Sequence, residues 1–392
     1  MIAGIGLGLV LGDATKPLAE IGKILIQLIK MIAVPLLFFT ILTNIIKSDF
    51  QLKDAKRLFF FAFLNAIVAL GIGLLLSNWI EPGKYLNFSP DPNSPKETLP
   101  LQKIDWLLTL KSYIPTSIIS PFQDNSVIPA VLLALILGAA LRKSLNLPEF
   151  SSIRLLNYLE LGLKAIEQVL LWILKLIPLA VFFLVAYAVG KEGFKPFQGL
   201  FLYVLVAIVG MAFHSLFTYQ LWLKLYVKMP LFQFWKAAIE PATHAFGTNS
   251  SLATLPLTLK ALKNLKVSDR ASSLGACVGT NLNNDGIILY EAMAVLFVAQ
   301  AHGIDLSVGE QIYAGLLCLV AAIGVAGIPE AGFVSLSLVL TTVGMPMELL
   351  PLLLTVDWFV ARARSTANTL SDMLVSILID RSLGNSGSDP KG

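Results

Sequence analysis

"VDWFVARARSTANTLSDM", residues 356–373, sets Asp357, Arg362, Arg364 and Asp372 into a stretch that otherwise reads as an apolar helix. At about 100° per residue, Asp357, Ala361, Arg364, Asn368 and Asp372 fall within one stripe roughly 80° wide, with Ser365 at its edge and Arg362 on another face. A charge near the centre of a membrane helix costs on the order of 2.5 to 3.5 kcal/mol on insertion scales, so this stripe needs partners or a wet cavity. Arg364 and Asp372, two turns apart, are poorly placed to pair with one another, and each requires a separate partner. A guanidinium at Arg364 suits a carboxylate gripped by two hydrogen bonds, and Asp372 suits a cation or a ligand amine.

The rest of the chain says what that helix is immersed in. Of 392 residues, 56% are hydrophobic and 14% charged, against the roughly 25% charged residues of soluble domains, and mean hydropathy is +0.76. Runs such as "ILIQLIKMIAVPLLFFTIL", "LNAIVALGIGLLLSNWI" and "GLFLYVLVAIVGMAFHSLFTY" each approach the roughly 20 residues a spanning helix needs. These features predict an all-α polytopic membrane protein, with the bilayer as a partner and no large soluble domain. "MIAGIGLGLVLG" lacks a basic n-region and a small-residue cleavage site, and reads as a first helix cut short at its start. Its glycines suit a close helix contact. Cys277 and Cys318, both in apolar sequence, read as small buried residues. Basic residues gather at Lys47, Lys53, Lys56 and Arg57, at Arg142, Lys143 and Arg154, and at Lys260, Lys263, Lys266 and Arg270. If these loops are cytoplasmic, an even number of crossings separates each from the next.

Regular spans are expected at 1–12, 17–46, 58–80, 126–141, 155–189 and 199–225, with a polar loop "EPGKYLNFSPDPNSPKETLPLQK" after the third. After residue 230 the pattern changes. Apolar segments are interrupted by "FGTNSSLATLP", "GTNLNNDGI" and "AAIGVAGIPEAGF", and unwound backbone at membrane depth is tolerated only where it is buried in protein or lines a cavity. The first and third breaks sit midway along segments whose halves are too short to cross, as in re-entrant hairpins. Paired broken segments point to a transport site, because helix N-termini there offer N–H groups to anions while unwound carbonyls hold cations.

These motifs carry a family resemblance. "SSLATLP", "NNDGIILYEAMAVLFVAQ", "GVAGIPEAG" and "VDWFVARARSTANTLSDM", in this order, with "KMIAVPLLFFTIL" and "EPGK" earlier, resemble the dicarboxylate/amino acid:cation symporter family that includes the glutamate transporters. The resemblance implies the plasma (inner) membrane as the location, and eight transmembrane helices plus two re-entrant hairpins, assembled as a homotrimer in which a transport domain slides like an elevator against a scaffold. It divides the chain into the first three helices at 1–80, a polar extracellular loop at 81–112, the fourth to sixth helices at 113–229, a transport core at 230–382 and a disordered tail at 383–392. It implies substrate contacts at Ser250 and Ser251 in the first hairpin, at Ala326, Gly327 and Ile328 in the second, and at Arg364, Ser365, Asn368 and Asp372. One sodium site is matched completely by Gly279, Asn283, Asn368 and Asp372, a ligand set suited to a hard cation.

Departures from the family pattern bear on substrate and stoichiometry. Where amino-acid transporters of the family carry an aspartate for the ligand's amino group, this chain has Ala361, as expected for a substrate without an amine. A second sodium site would draw on the third helix, where Ala62, Asn65 and Ala66 leave Asp285 and Asn283 with fewer oxygens. A third is built around a methionine and hairpin carbonyls, and Asn284 replaces that methionine. Glu291 matches a glutamate used by animal glutamate transporters in proton and potassium coupling, and Glu330 adds an acid at the hairpin tip. Glu291 stands as a proton carrier or as a paired structural acid.

The expected activity is cation-coupled symport, by Na+ and H+ or either, of a small anionic substrate, with dicarboxylates slightly ahead of acidic amino acids. No organic cofactor and no nucleic acid is expected. An enzyme is disfavoured: no H-E-x-x-H, Walker loop or G-x-S-x-G occurs, and His214, His244 and His302 lack metal-ligand spacing. The remaining alternatives are an amino-acid symporter despite Ala361, an anion-conducting channel-like member, and a binding protein that has lost coupling.

Overall fold

Helices follow the apolar runs, and polar or glycine-rich interruptions separate them. The computed structural model describes residues 2–47, 52–86, 111, 113–145, 152–193, 195–324 and 331–384, and all regular structure among them is helical. The first half contains α1 (Ile2–Leu11), α2 (Lys16–Lys47), α3 (Leu52–Ile80), α4 (Val127–Leu145), α5 (Ser152–Leu174), α6 (Ile177–Glu192) and α7 (Lys195–Phe213). α7 runs on through two π-helical turns, His214–Thr218 and Trp222–Val227. Most of the polar loop after α3 lies outside the described residues.

Among the described residues, four stretches are long and apolar enough to cross a membrane: Lys56–Ile80, Val127–Ser144, Leu155–Tyr187 and Phe197–Val227. At most 44% of the most apolar window of each is buried inside the chain, so most of that surface faces outward, as lipid contact or subunit contact requires. Phe59, Leu75, Trp79 and Phe201 are among the large side chains exposed there. The expected single span at 155–189 is instead two helices, since α5 ends at Leu174 and Pro178 opens α6 within its first turn, where its missing N–H costs nothing.

The glycines of α1 do make a close contact. A Cβ on Gly4 would meet the Phe182 carbonyl oxygen at 2.6 Å, and Gly8 and Gly190 bring backbone against backbone between the start of the chain and α6.

The second half is α8 (Leu231–Thr248), α9 (Ser251–Asn264), α10 (Asp269–Ser272, continued through Ser273–Val278 and Gly279–Asn281), α11 (Asp285–Ala301), α12 (Val308–Gly324), α13 (Ala331–Val343) and α14 (Leu350–Ser382). α8 and α9 pack as a hairpin. Asn249 turns it in the left-handed region (φ 54°), and Ser250 caps α9 by accepting the Ala253 N–H at 3.1 Å. α12 and α13 also pack together, and the segment joining them, 325–330, lies outside the described residues.

α11 is the hub. All 17 residues except Gln300 are buried, as an evenly apolar helix demands. It packs against α3, α7, α12, α13 and α14, and Gly83 of the "EPGK" turn (Pro82–Leu86) sits against its Phe297 carbonyl and Gln300. This packing sets the "NNDG" break at the foot of α11 against the charged stripe of α14.

Candidate functional site

The stripe on α14 is buried as its spacing requires: Asp357 is 5% exposed, Ala361 1%, Arg364 4%, Asn368 5% and Asp372 3%. Trp358, just past the edge of the stripe, and Phe359, on the opposite side, are exposed. Arg364 forms a two-stranded pair with Asp357, Nη1 to Oδ1 at 2.9 Å and Nη2 to Oδ2 at 3.4 Å. Its Cζ stands 4.6 Å from the centre of the Tyr290 ring on α11, within cation–π range. Gly332, near the start of α13, lies so close to the guanidinium that a Cβ there would overlap Cζ and both terminal nitrogens. Of five guanidinium donors Asp357 takes two, which leaves three for other groups.

Arg362, expected on another face, points to the first hairpin and donates to the Phe246 and Gly247 carbonyls at 3.0 and 2.7 Å, capping the C-terminal end of α8. Ser365 donates to Asn249 Oδ1 at 3.0 Å, which places it at the tip of that hairpin. Ser251 lies beside the break before α11, where it accepts a bond from Thr280 at 3.4 Å. Ser250, Ser251 and Ser365 are thus gathered near α14, while Ala326, Gly327 and Ile328 fall outside the described residues.

Asp372 accepts from Asn283 Nδ2 at 3.3 Å, and a Cβ on Gly279 would lie 3.9 Å from Asp372 Oδ1. Asn283 Oδ1 is buried without a partner. A carboxylate, an unpaired amide oxygen and a glycine backbone side by side fit a hard cation such as sodium. Asn368 belongs to a different set of contacts: its Oδ1 accepts the Gly286 N–H at 2.8 Å and its Nδ2 donates to Asn284 Oδ1 at 3.2 Å.

Asp285 gathers a buried polar cluster. Its Oδ2 accepts from Asn65 Nδ2, from Ser371 at 2.5 Å and from Tyr219 at 3.1 Å, and lies 3.2 Å from His214 Nε2. The His214 and Tyr219 rings meet edge to face with centroids 4.8 Å apart. Oδ1 of Asp285 and Oδ1 of Asn65 have no partner, so unpaired oxygen remains here too, although donors of this chain serve the other carboxylate oxygen. His214, Tyr219 and Ser371 are the site residues that the sequence reading missed.

Glu291, one turn and a half further along α11, is 0% exposed, and among the described residues neither of its carboxyl oxygens has a hydrogen-bond partner. Cys277 and Cys318 are free thiols.

Polar and charged side chains gathered where broken helices meet, inside an apolar helical body, mark a membrane transport protein. The chain belongs to the sodium:dicarboxylate symporter family, which matches residues 1–382, and it is accordingly a transporter embedded in the membrane rather than an enzyme. Its relatives include a C4-dicarboxylate transport protein of Bacillus subtilis, 26% identical with 97% of this chain and 91% of that protein covered. Excitatory amino acid transporter 3 of Mus musculus is also 26% identical, covering 97% of this chain and 84% of its own length. A C4-dicarboxylate transport protein of Rhodospirillum rubrum is 29% identical over 97% of this chain and 86% of its own.

Proposed function

We propose that the chain is a sodium-coupled symporter of a small dicarboxylate, with Arg364 as the group that grips one substrate carboxylate. The observation that carries this reading is the set of groups around Arg364. A buried guanidinium keeps donors free beyond its pair with Asp357, while Ala361, on the same stripe, offers nothing to an ammonium group. An amine in that place would be left short of a partner, and a dicarboxylate avoids the loss. Family membership and relatives that include C4-dicarboxylate transport proteins point the same way.

Gly279, Asn283 and Asp372 would hold a sodium ion, with Asn368 one turn before Asp372 on α14. The ion, when bound, supplies positive charge to a buried carboxylate. The remaining steps belong to the chain: Ser251 and Thr280 link the first hairpin to the break before α11, Ser365 and Arg362 hold it to α14, and Gly332 lays the second hairpin on the Arg364 guanidinium. Closing of the second hairpin over the occupied site, followed by sliding of the transport core at 230–382 within a trimer, completes the reading, and ligand and ion then favour the closed state together. A second reading, an acidic amino acid symporter in which Asp372 receives the amine, draws on the excitatory amino acid transporter relative.

Calorimetric titration of the purified protein with succinate, fumarate, L-aspartate and L-glutamate, each with and without sodium, tests both readings. Sodium-dependent binding of succinate or fumarate is expected, and Arg364→Ala should abolish it while the protein stays folded. Binding of aspartate alone would replace the first reading with the second, and retained affinity in the alanine variant would remove Arg364 from the site.

A further inference from the structure

Three hydrogen bonds in series connect the second hairpin, the break before α11 and α14. The Gly286 N–H donates to Asn368 Oδ1 at 2.8 Å, Asn368 Nδ2 donates to Asn284 Oδ1 at 3.2 Å, and Asn284 Nδ2 donates to the Ala322 carbonyl at 3.1 Å. The whole relay is buried: Asn284 is 3% exposed, Asn368 5% and Ala322 1%. Its polarity is fixed at both ends by backbone, since an N–H at Gly286 can only donate and a C=O at Ala322 can only accept. Turning either carboxamide over would set oxygen against oxygen and N–H against N–H, so the two amides hold each other in one orientation.

Ala322 lies in the last turn of α12, whose final four carbonyls have no partner within that helix. The C-terminal ends of broken helices at this depth in transporters are ordinarily where a coupling cation sits, drawn by those carbonyls and the negative end of the helix dipole. Here the Ala322 carbonyl meets an amide N–H, and that N–H would face any cation placed on the same oxygen. Among the described residues at this end of α12, the Ala322 carbonyl is thus arranged for an amide N–H and not for a cation.

We propose that Asn284 is a positioning residue that takes the place of a cation at the second hairpin, so that the α12 arm docks against Asn368 whether or not sodium is present. The inference rests on the symporter reading above and deepens it: sodium acts at Asp372, and the docking of this arm contributes no sodium dependence of its own. It also gives Asn368 a fixed presentation, with Oδ1 toward Gly286 and Nδ2 toward Asn284, before any substrate arrives.

Hydrogen–deuterium exchange of the purified, substrate-free protein in sodium chloride and in choline chloride tests this, read on peptides within 308–324. The wild type should show equal protection in both salts. Asn284→Asp is isosteric and can still accept from Asn368, but it turns a second oxygen toward the Ala322 carbonyl. In choline the last turn of α12 should then exchange about tenfold faster than in the wild type, as expected for loss of one buried hydrogen bond, and sodium, which can bridge the two facing oxygens of the variant, should restore the protection. Asn284→Ala serves as the second variant and should exchange faster than wild type in choline. A role in packing alone would leave the isosteric variant protected equally in both salts. Sodium-dependent protection in the wild type, or wild-type protection of both variants in choline, would overturn the proposal. Neither substrate nor uptake enters this measurement, so a failure of the symporter reading would show in the calorimetry and leave the exchange result standing.

Discussion

Arg364 reaches back to Asp357, seven positions earlier, while Asp372, a similar distance ahead, takes Asn283 instead. Arg364 and Asp372 thus take separate partners, as expected, although Asp357 is about as far from Arg364 along the chain. Side chains on an α-helix lean toward its N-terminus, so a long arginine covers two turns behind it and little of what lies ahead. The need for separate partners at Arg364 and Asp372 was legible in the sequence, and Asp357 was visible on the stripe, but only the lean of the side chains chooses between the two acids. Ala361 lies between Asp357 and Arg364 on that stripe and is 1% exposed. Ala361→Asp should shift the preference toward L-aspartate over succinate by on the order of tenfold, because a buried carboxylate partners an ammonium and repels a second carboxylate. Competition calorimetry on the variant checks this; an unchanged preference would mean that position 361 does not meet the ligand.

The elements that carry the site were legible to different degrees. The hairpin of α8 and α9 could be read from "FGTNSSLATLP", since asparagine accepts the left-handed turn and serine caps the helix after it. The break before α11 and the stripe on α14 were legible for the same reason: polar residues interrupt or line apolar helices only where something demands them. The Asp285 cluster was not. Its members come from α3, α7, α11 and α14, with His214 and Tyr219 lying 71 and 66 positions from Asp285, and no local pattern joins them. Read with a 3.6-residue period, two side chains five apart point about 140° from each other. In the π turn at His214–Thr218, bonded i to i+5, they come together. The second hairpin offers a test at this scale. Its arm α13 begins on the Arg364 guanidinium, where a Cβ on Gly332 would stand 2.5 Å from Nη1 and 2.6 Å from Nη2. Gly332→Ala should weaken succinate binding about tenfold, the ordinary cost of overpacking a tight contact, with thermal unfolding little changed. Binding equal to wild type would show that the arm can retreat from Arg364 freely.

For the whole molecule, the proposed symport turns on how Glu291, Asp285 and Asp372 would divide the coupling ions between them. Asp285 and Asp372 each accept hydrogen bonds from neighbouring side chains, whereas among the described residues Glu291, in the buried hub helix, has no hydrogen-bond partner at either oxygen and feels the Arg364 guanidinium only through space. A carboxyl kept without partners in an apolar interior is expensive unless it exchanges a proton during the cycle. In proteoliposomes, uptake by the wild type should rise as the external pH falls, and Glu291→Gln should flatten that dependence while leaving uptake measurable. An unchanged pH profile in the variant would reduce Glu291 to a structural acid.

The π turns of α7 also bear on how such chains are compared. The segment from His214 to Val227 departs from α-helical phase, and that departure sets two rings on one carboxylate. Removing one residue there would keep the segment apolar and helical, yet turn every later side chain by about 100° relative to the preceding part of the helix. A one-residue gap in an alignment of α7 is therefore a change in what reaches Asp285, and relatives with and without it differ at their centre even where every residue around Asp285 is the same.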